Sequence, residues 1–349
     1  MDAQHTVLEV KNLHTHFFTD RGIVKAVDGV SFVVKRGKTL GIVGESGSGK
    51  SISARSLMQL VDPPGRIVAG EILMDVGEHG VIDIAKLDTR GPEIRAIRGA
   101  NISMIFQEPM AALSPVHTIG NQIIEMIQIH TPMDDTAARE QAIEMLRRVD
   151  MPKAEQRIDS YTFELSGGMR QRAMIAMALA CRPRLVIADE PTTALDVTTQ
   201  ATILDLLREL QEQFEMSIIF ITHDLGVVAE LADDVAVMYL GRVVEQGPVD
   251  AIFENPLHPY TKALIRSIPR LGVRGKHRLE AIAGMVPHPS HRPKGCPFHD
   301  RCPSMMPNVC DVITPPVEQV TPDQTVSCLL YSDVPSLGKN NQSRGSDHG

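Results

Sequence analysis

The stretch "GIVGESGSGKS", residues 41–51, sets four glycines and three serines in eleven positions, between the apolar Leu40 and the run "ISARSLMQL". So bare a backbone can turn tightly and aim its own N–H groups at a ligand. Residues 44–51 fit G-x-x-x-x-G-K-[ST], and the spacing predicts a strand before the loop and a helix after it, the context that a phosphate-binding loop needs. In that reading Gly44, Ser46, Gly47, Ser48 and Gly49 wrap the phosphates of a nucleoside triphosphate, and the helix N-terminus adds its positive end. Lys50 reaches the β and γ phosphates, and Ser51 is a ligand for Mg²⁺.

The 349 residues suffice for about two domains, and 43% hydrophobic with 22% charged residues is the composition of a soluble globular protein. No apolar run approaches the roughly 18 residues of a membrane helix. The N-terminal "MDAQHTVLEVKN" lacks the pattern of a secretory signal, so the expected location is the cytoplasm, where the five cysteines are reduced. A net charge of −8, no Trp and only four Tyr argue against a broad basic, aromatic nucleic-acid surface.

"TVLEVKNL", "AVDGVSFVV" and "KTLGIVG" read as strands, whereas "NQIIEMIQIH" and "TAAREQAIEMLRRV" carry apolar residues at helical spacing. Strand patterns return in "RLVIADEP" and "MSIIFITHD", separated by the helical "TTQATILDLLRELQEQF", as in a parallel α/β sheet. The expected fold is therefore an α/β core of P-loop NTPase type over residues 1–255, interrupted by a helical insertion at about 108–180. A Pro-, His- and Arg-rich segment, 256–331, reads as a separate C-terminal appendage, and the polar 332–349 as a disordered tail.

"LVIADE", residues 185–190, ends an apolar run in two carboxylates: Asp189 is a candidate Mg²⁺ ligand, and Glu190 a candidate to orient or deprotonate the attacking water. "LSGGMRQR", residues 165–172, then resembles the signature of ABC-type ATPases and stands before "LVIADE" as it does in that family. Gln107 in "MIFQEP" is similar to the Q-loop glutamine, "ALD" at 194–196 to the D-loop, and His223 in "FITHD" to the switch histidine. The resemblance spans about residues 6–250. It implies the RecA-like ABC fold, catalytic roles for Glu190, His223 and Gln107, Gln107 also near Mg²⁺, and stacking of Phe17, or its neighbour Phe18, on adenine. It also implies a head-to-tail pair of ATPase domains, in which Ser166, Gly167 and Gly168 of one contact the γ-phosphate held by Lys50 of the other.

"NPLHPYTKALIRSIP", "IAGMVP" at 282–287 and "PKGCPFHDRCP" at 293–303 resemble the segment that follows the core in the oligopeptide/dipeptide permease branch. Cys296, Cys302, Cys310 and Cys328 are spaced C-x5-C-x7-C-x17-C, wider than the pairs usual in structural zinc sites, which leaves an iron-sulfur cluster or free thiols. The branch resemblance implies a 4Fe-4S cluster. Cys181 reads as a small core residue. The function so implied is the energy-coupling ATPase of an importer for di- or oligopeptides, with nickel, glycosides or another solute as alternatives. Its partners would be two membrane permeases, a second related ATPase or a second copy of the chain, and an extracytoplasmic solute-binding protein; its place would be the cytoplasmic face of the membrane. The alternative of another class is a soluble ABC-type ATPase acting on nucleic acid.

Overall fold

Alternating β-branched and apolar residues make β1 (Thr6–Thr19) and β2 (Gly22–Lys35), an antiparallel pair whose inward positions include Val7, Val10, Leu13, Val27 and Val30. In the computed structural model, which describes residues 1, 5–193, 195–268, 282 and 284–332, a second sheet begins with β3 (Thr39–Val43). β4 (Gly65–Asp75) and β5 (Val81–Asp83) complete the first sheet in the order β2-β1-β4-β5. β6 (Ile102–Ile105), β7 (Leu185–Asp189), β8 (Ser217–Thr222) and β9 (Asp234–Tyr239) join β3 in parallel, in the order β9-β3-β8-β7-β6. Every residue of β3, β6, β7 and β8 is buried, as continuous apolar runs in a covered parallel sheet should be.

Between β6 and β7 the chain is helical. Ile119–His130, Asp135–Arg148 and Gly167–Leu179 start at Thr118, Asp134 and Ser166, whose side chains each accept a backbone N–H of the first turn. Their apolar stripes meet through Ile123, Ile127, Ala138, Ala142, Leu146 and Met174, in a core continuous with Val186 and Phe220 of the sheet.

The C-terminal segment is more intimately joined than its composition suggests. β10 (Arg242–Pro248) pairs antiparallel with β9; β11 (Glu318–Thr321) and β12 (Gln324–Val326) then extend that same sheet, with Glu245 opposite Val326. Glu245 is buried and accepts from Leu257 N (2.7 Å), His258 N (2.9 Å) and Gln324 Nε2 (2.8 Å). Tyr260, Cys296, Phe298 and Cys310 share one core with Val43, Val228 and Tyr239. The segment expected to stand apart is a continuation of the central sheet; two short strands in a Pro-rich sequence gave too little periodicity to read. The tail expected to be disordered lies outside the described residues from 333 onward.

Candidate nucleotide site

The glycine loop lies between β3 and the helix Lys50–Leu57. Its conformation requires glycine at two points. Gly44, at φ 153, has room for no Cβ, which would sit 2.2 Å from Met238 O; Gly49, at φ 101, would bring one to 2.4 Å from Ala26 O. Gly241 N donates to Ser48 O (2.7 Å), and Asp28 N to Gly241 O (2.8 Å), so β2 and the β9–β10 turn brace the loop from outside.

Lys50 curls back over the loop, with Nζ donating to Gly44 O (2.7 Å) and Glu45 O (3.1 Å). Burial lowers its pKa, against the opposing charges of Glu190, Asp189 and Glu45. Ser51 Oγ donates to Asp189 Oδ1 (3.0 Å), and burial raises the Asp189 carboxyl while this hydrogen bond opposes the rise. A buried cation and a buried carboxylate thus meet at the helix N-terminus, a donor set suited to a triphosphate with its divalent ion. Ser48 Oγ is buried without a partner beside them.

Glu190 follows β7 at φ 48, a left-handed conformation uncommon for a non-glycine residue, and is held there by its N–H on Ile221 O (2.9 Å). Its carboxylate collects three neighbours: Gln107 Nε2 (3.0 Å) and Thr193 Oγ1 (3.0 Å) on Oε2, and His223 Nδ1 (3.3 Å) on Oε1. Lys50, Ser51, Gln107, Glu190, Thr193 and His223 line one cavity of about 720 Å³, which Ser46, Gly47, Ser48 and Gly49 also border.

Other expected residues lie elsewhere. Phe17 does not line the cavity: its ring edge lies against Gly65, where a Cβ would come within 2.6 Å, and Phe18 lies under the Arg66 guanidinium, 4.3 Å from its ring centroid. Ser166, Gly167 and Gly168 also stand outside the lining, at the start of their helix, and Ser166 Oγ accepts from Met169 N (3.4 Å). Ala194 lies outside the described residues; Asp196 caps Val197–Phe214. Sequence reading missed Thr193, Lys25, Ala26, Leu240, Gly241 and Pro289 in the wall. Thr193 had a signal, three residues after Glu190; the others had none.

Beside the cavity, Asp28 accepts from Arg242 (2.7 Å) and Arg292 (2.6 Å) on Oδ2 and lies 3.2 Å from His14 Nδ1 through Oδ1. Burial pushes its carboxyl up, but the Arg242 hydrogen bond and the charges of Arg292 and Arg242 outweigh burial and bring it down to about 2. The guanidiniums crowding this carboxylate oppose a cation at the close group His14, His16 and Asp28.

Cys296, Cys310 and Cys328 are buried, Cys302 is half-buried, and none is in a disulfide. Burial pushes the Cys296 thiol up to about 12, and nearby Cys328, Cys310 and Cys302 add to the rise. Cys296 N donates to Cys310 O (2.8 Å), and Met306 N to Cys310 Sγ (3.4 Å). Cys181 is partly buried and its thiol is raised to about 11 by burial.

Residues 27–193 match the family model described as ABC transporter, and residues 244–310 that described as oligopeptide/dipeptide transporter, C-terminal region. The oligopeptide transport ATP-binding protein AppD of Bacillus subtilis is 48% identical over 94% of this chain and 98% of its own. The dipeptide transport ATP-binding protein DppD of Haemophilus influenzae is 49% identical over 85% of this chain and 88% of its own. Among solved structures, a dimeric ATP-binding cassette in a post-hydrolysis state bound to ADP and Pi superposes with a TM-score of 0.61 at 27% identity, covering 69% of this chain and 98% of that one. With the glycine loop, the Glu190 cluster and similarity over most of the chain in agreement, the chain belongs to the ABC transporter ATP-binding proteins, in their oligopeptide/dipeptide branch.

Proposed function

We propose that the chain is the ATP-hydrolysing, energy-coupling subunit of a binding-protein-dependent importer for di- and oligopeptides, peripheral to the cytoplasmic face of the membrane. The observation that carries this reading is the convergence of Gln107, Thr193 and His223 on Glu190 in the same cavity as Lys50. Lys50 releases its two loop carbonyls to reach the phosphates, and loop N–H groups from Gly44 to Ser51 bind phosphate oxygens. Ser51 and Asp189, with Gln107 near them, would hold Mg²⁺, which neutralises charge on the phosphates. Glu190 accepts the proton of the attacking water, and His223, bonded to the same carboxylate, is oriented to contact the γ-phosphate.

Ser166, Gly167 and Gly168 serve the partner domain's nucleotide, so hydrolysis requires a closed head-to-tail pair. That pair is formed with a related ATPase or a second copy; the dimeric cassette among the solved structures supports this reading. Phe17, or its neighbour Phe18, stacks on adenine. Two permeases and an extracytoplasmic binding protein complete the importer. No helix among the described residues is long and apolar enough to cross a membrane.

Cys296, Cys302, Cys310 and Cys328 are the residues that would hold a 4Fe-4S cluster, a structural element of the extension with no step in hydrolysis. The burial of Cys296, Cys310 and Cys328 and the electrostatic reach of all four thiols on one another support this. The test of the transport reading is ATP turnover by the complex reconstituted with its permeases while the binding protein is loaded in turn with peptides, nickel and glycosides. Stimulation by peptides alone is expected; stimulation by another solute would overturn the substrate.

A further inference from the structure

Glu45 is an awkward residue for a phosphate loop. It carries a negative charge one position after Gly44, and its carbonyl oxygen is one of the two that hold Lys50. The C-terminal extension meets it at both ends. Arg301 forms a two-pronged ion pair with its carboxylate, Nη1 to Oε2 at 2.7 Å and Nη2 to Oε1 at 2.9 Å, across 256 residues of sequence. The Tyr260 hydroxyl accepts the Glu45 backbone N–H at 2.9 Å.

Neither group is loosely placed. Arg301 stands between Cys296 and Cys302, its side chain 4% exposed, donating also to Tyr239 Oη (3.3 Å) and lying 5.8 Å from the ring centroids of both Tyr239 and Phe298. Tyr260 is fully buried in the same aromatic cluster, 4.7 Å from Tyr239 and 5.3 Å from Phe298 between centroids. A planar fork on a carboxylate fixes orientation as well as charge. The pair and the Tyr260 hydroxyl therefore anchor the Glu45 segment of the loop, and the guanidinium cancels a charge that would repel the triphosphate.

We propose that the C-terminal extension is a clamp on the phosphate loop, with Arg301 as a positioning residue that neutralises Glu45 and, with Tyr260, fixes the loop for ATP. The proposal rests on the reading of the glycine loop as the ATP site. The clamp makes the extension part of the nucleotide machinery as well as an appendage to the sheet.

The test is titration of the full chain with N-methylanthraniloyl-ATP, together with kcat and KM of the assembled complex. Arg301→Ala should raise Kd and KM for ATP about tenfold with a smaller change in kcat, and Arg301→Lys should lose less. Adding Glu45→Gln to Arg301→Ala should recover most of the loss, because the uncompensated charge is then gone. If the alanine variant does not fold, Arg301→Gln with and without Glu45→Gln carries the same comparison. Wild-type affinity in the Arg301 variants, or a loss undiminished by Glu45→Gln, would overturn the clamp. A Lys50→Ala variant that bound ATP like wild type would overturn the phosphate-site reading and the clamp with it.

Discussion

Gln107 and Glu190, 83 residues apart, are joined by a hydrogen bond of 3.0 Å from Nε2 to Oε2. One partner follows β6 and the other β7, adjacent parallel strands, so the bond spans the mouth of the sheet where both strands end. Gln107 also stands where the chain leaves the sheet for its helical part.

Glu190→Gln keeps the size of the side chain and one acceptor oxygen while removing the base. Turnover should fall by about 10²–10⁴-fold, with Kd for ATP unchanged within about threefold. Steady-state phosphate release and nucleotide titration on the same preparation check it; undiminished turnover would remove Glu190 from the chemistry.

Gly49→Ala tests the shape of the loop without touching its charges. The added Cβ would meet the backbone oxygen of Ala26 at 2.4 Å in a left-handed conformation. The strain is about 1–3 kcal/mol, relieved only by pushing the loop off β2. ATP affinity should drop more than about tenfold, and the urea midpoint should fall. An alanine variant with native affinity would mean that this turn is not held as described.

The Asp28 ion pairs give a pH signature. Its folded pKa, about 2, is below the ordinary 3.8, so the unfolded chain binds the proton first as pH falls. The stability that Asp28 contributes is then complete above about pH 4 and lost as pH falls through about 2. Wild type minus Asp28→Asn, compared by urea midpoints from pH 7 to pH 2, should give a constant gap down to about 4 that narrows below it. A gap that stays constant to pH 2 would contradict the Arg242 and Arg292 pairing.

The sequence was legible where a local rule operates. The glycine loop, the largely apolar β7 and β8, and the amphipathic helices read in "NQIIEMIQIH" and "TAAREQAIEMLRRV" are each decided by neighbours within a few residues. Gln107, Glu190 and His223 were found through an order of motifs, and the fold then brought them within hydrogen-bond reach. What escaped depends on long-range contact. Arg301 against Glu45 and Arg292 against Asp28 join residues more than 250 positions apart, and no periodicity encodes them. The sheet extension by β11 and β12 escaped for the same reason, since β12 pairs with the distant β10 and the short edge strand β11 pairs with β12.

The four C-terminal cysteines yield a prediction about metal content. A single tetrahedral zinc with sulfur bonds of about 2.3 Å would draw its thiolates within about 4 Å of one another. Among the described residues the close groups of potential ligands consist of His14, His16 and Asp28 alone. A cubane cluster instead gives each thiolate its own iron and holds the sulfurs farther apart. If the four cysteines hold the proposed cluster, anaerobically purified chain should carry about four iron atoms and four acid-labile sulfides per molecule, and Cys296→Ser should lose them. Cys181→Ser, whose thiol bonds Met126 O at 3.6 Å in the helical part of the chain, should keep them. One zinc per chain without iron would overturn the cluster; neither metal would leave the cysteines as packing residues of the extension.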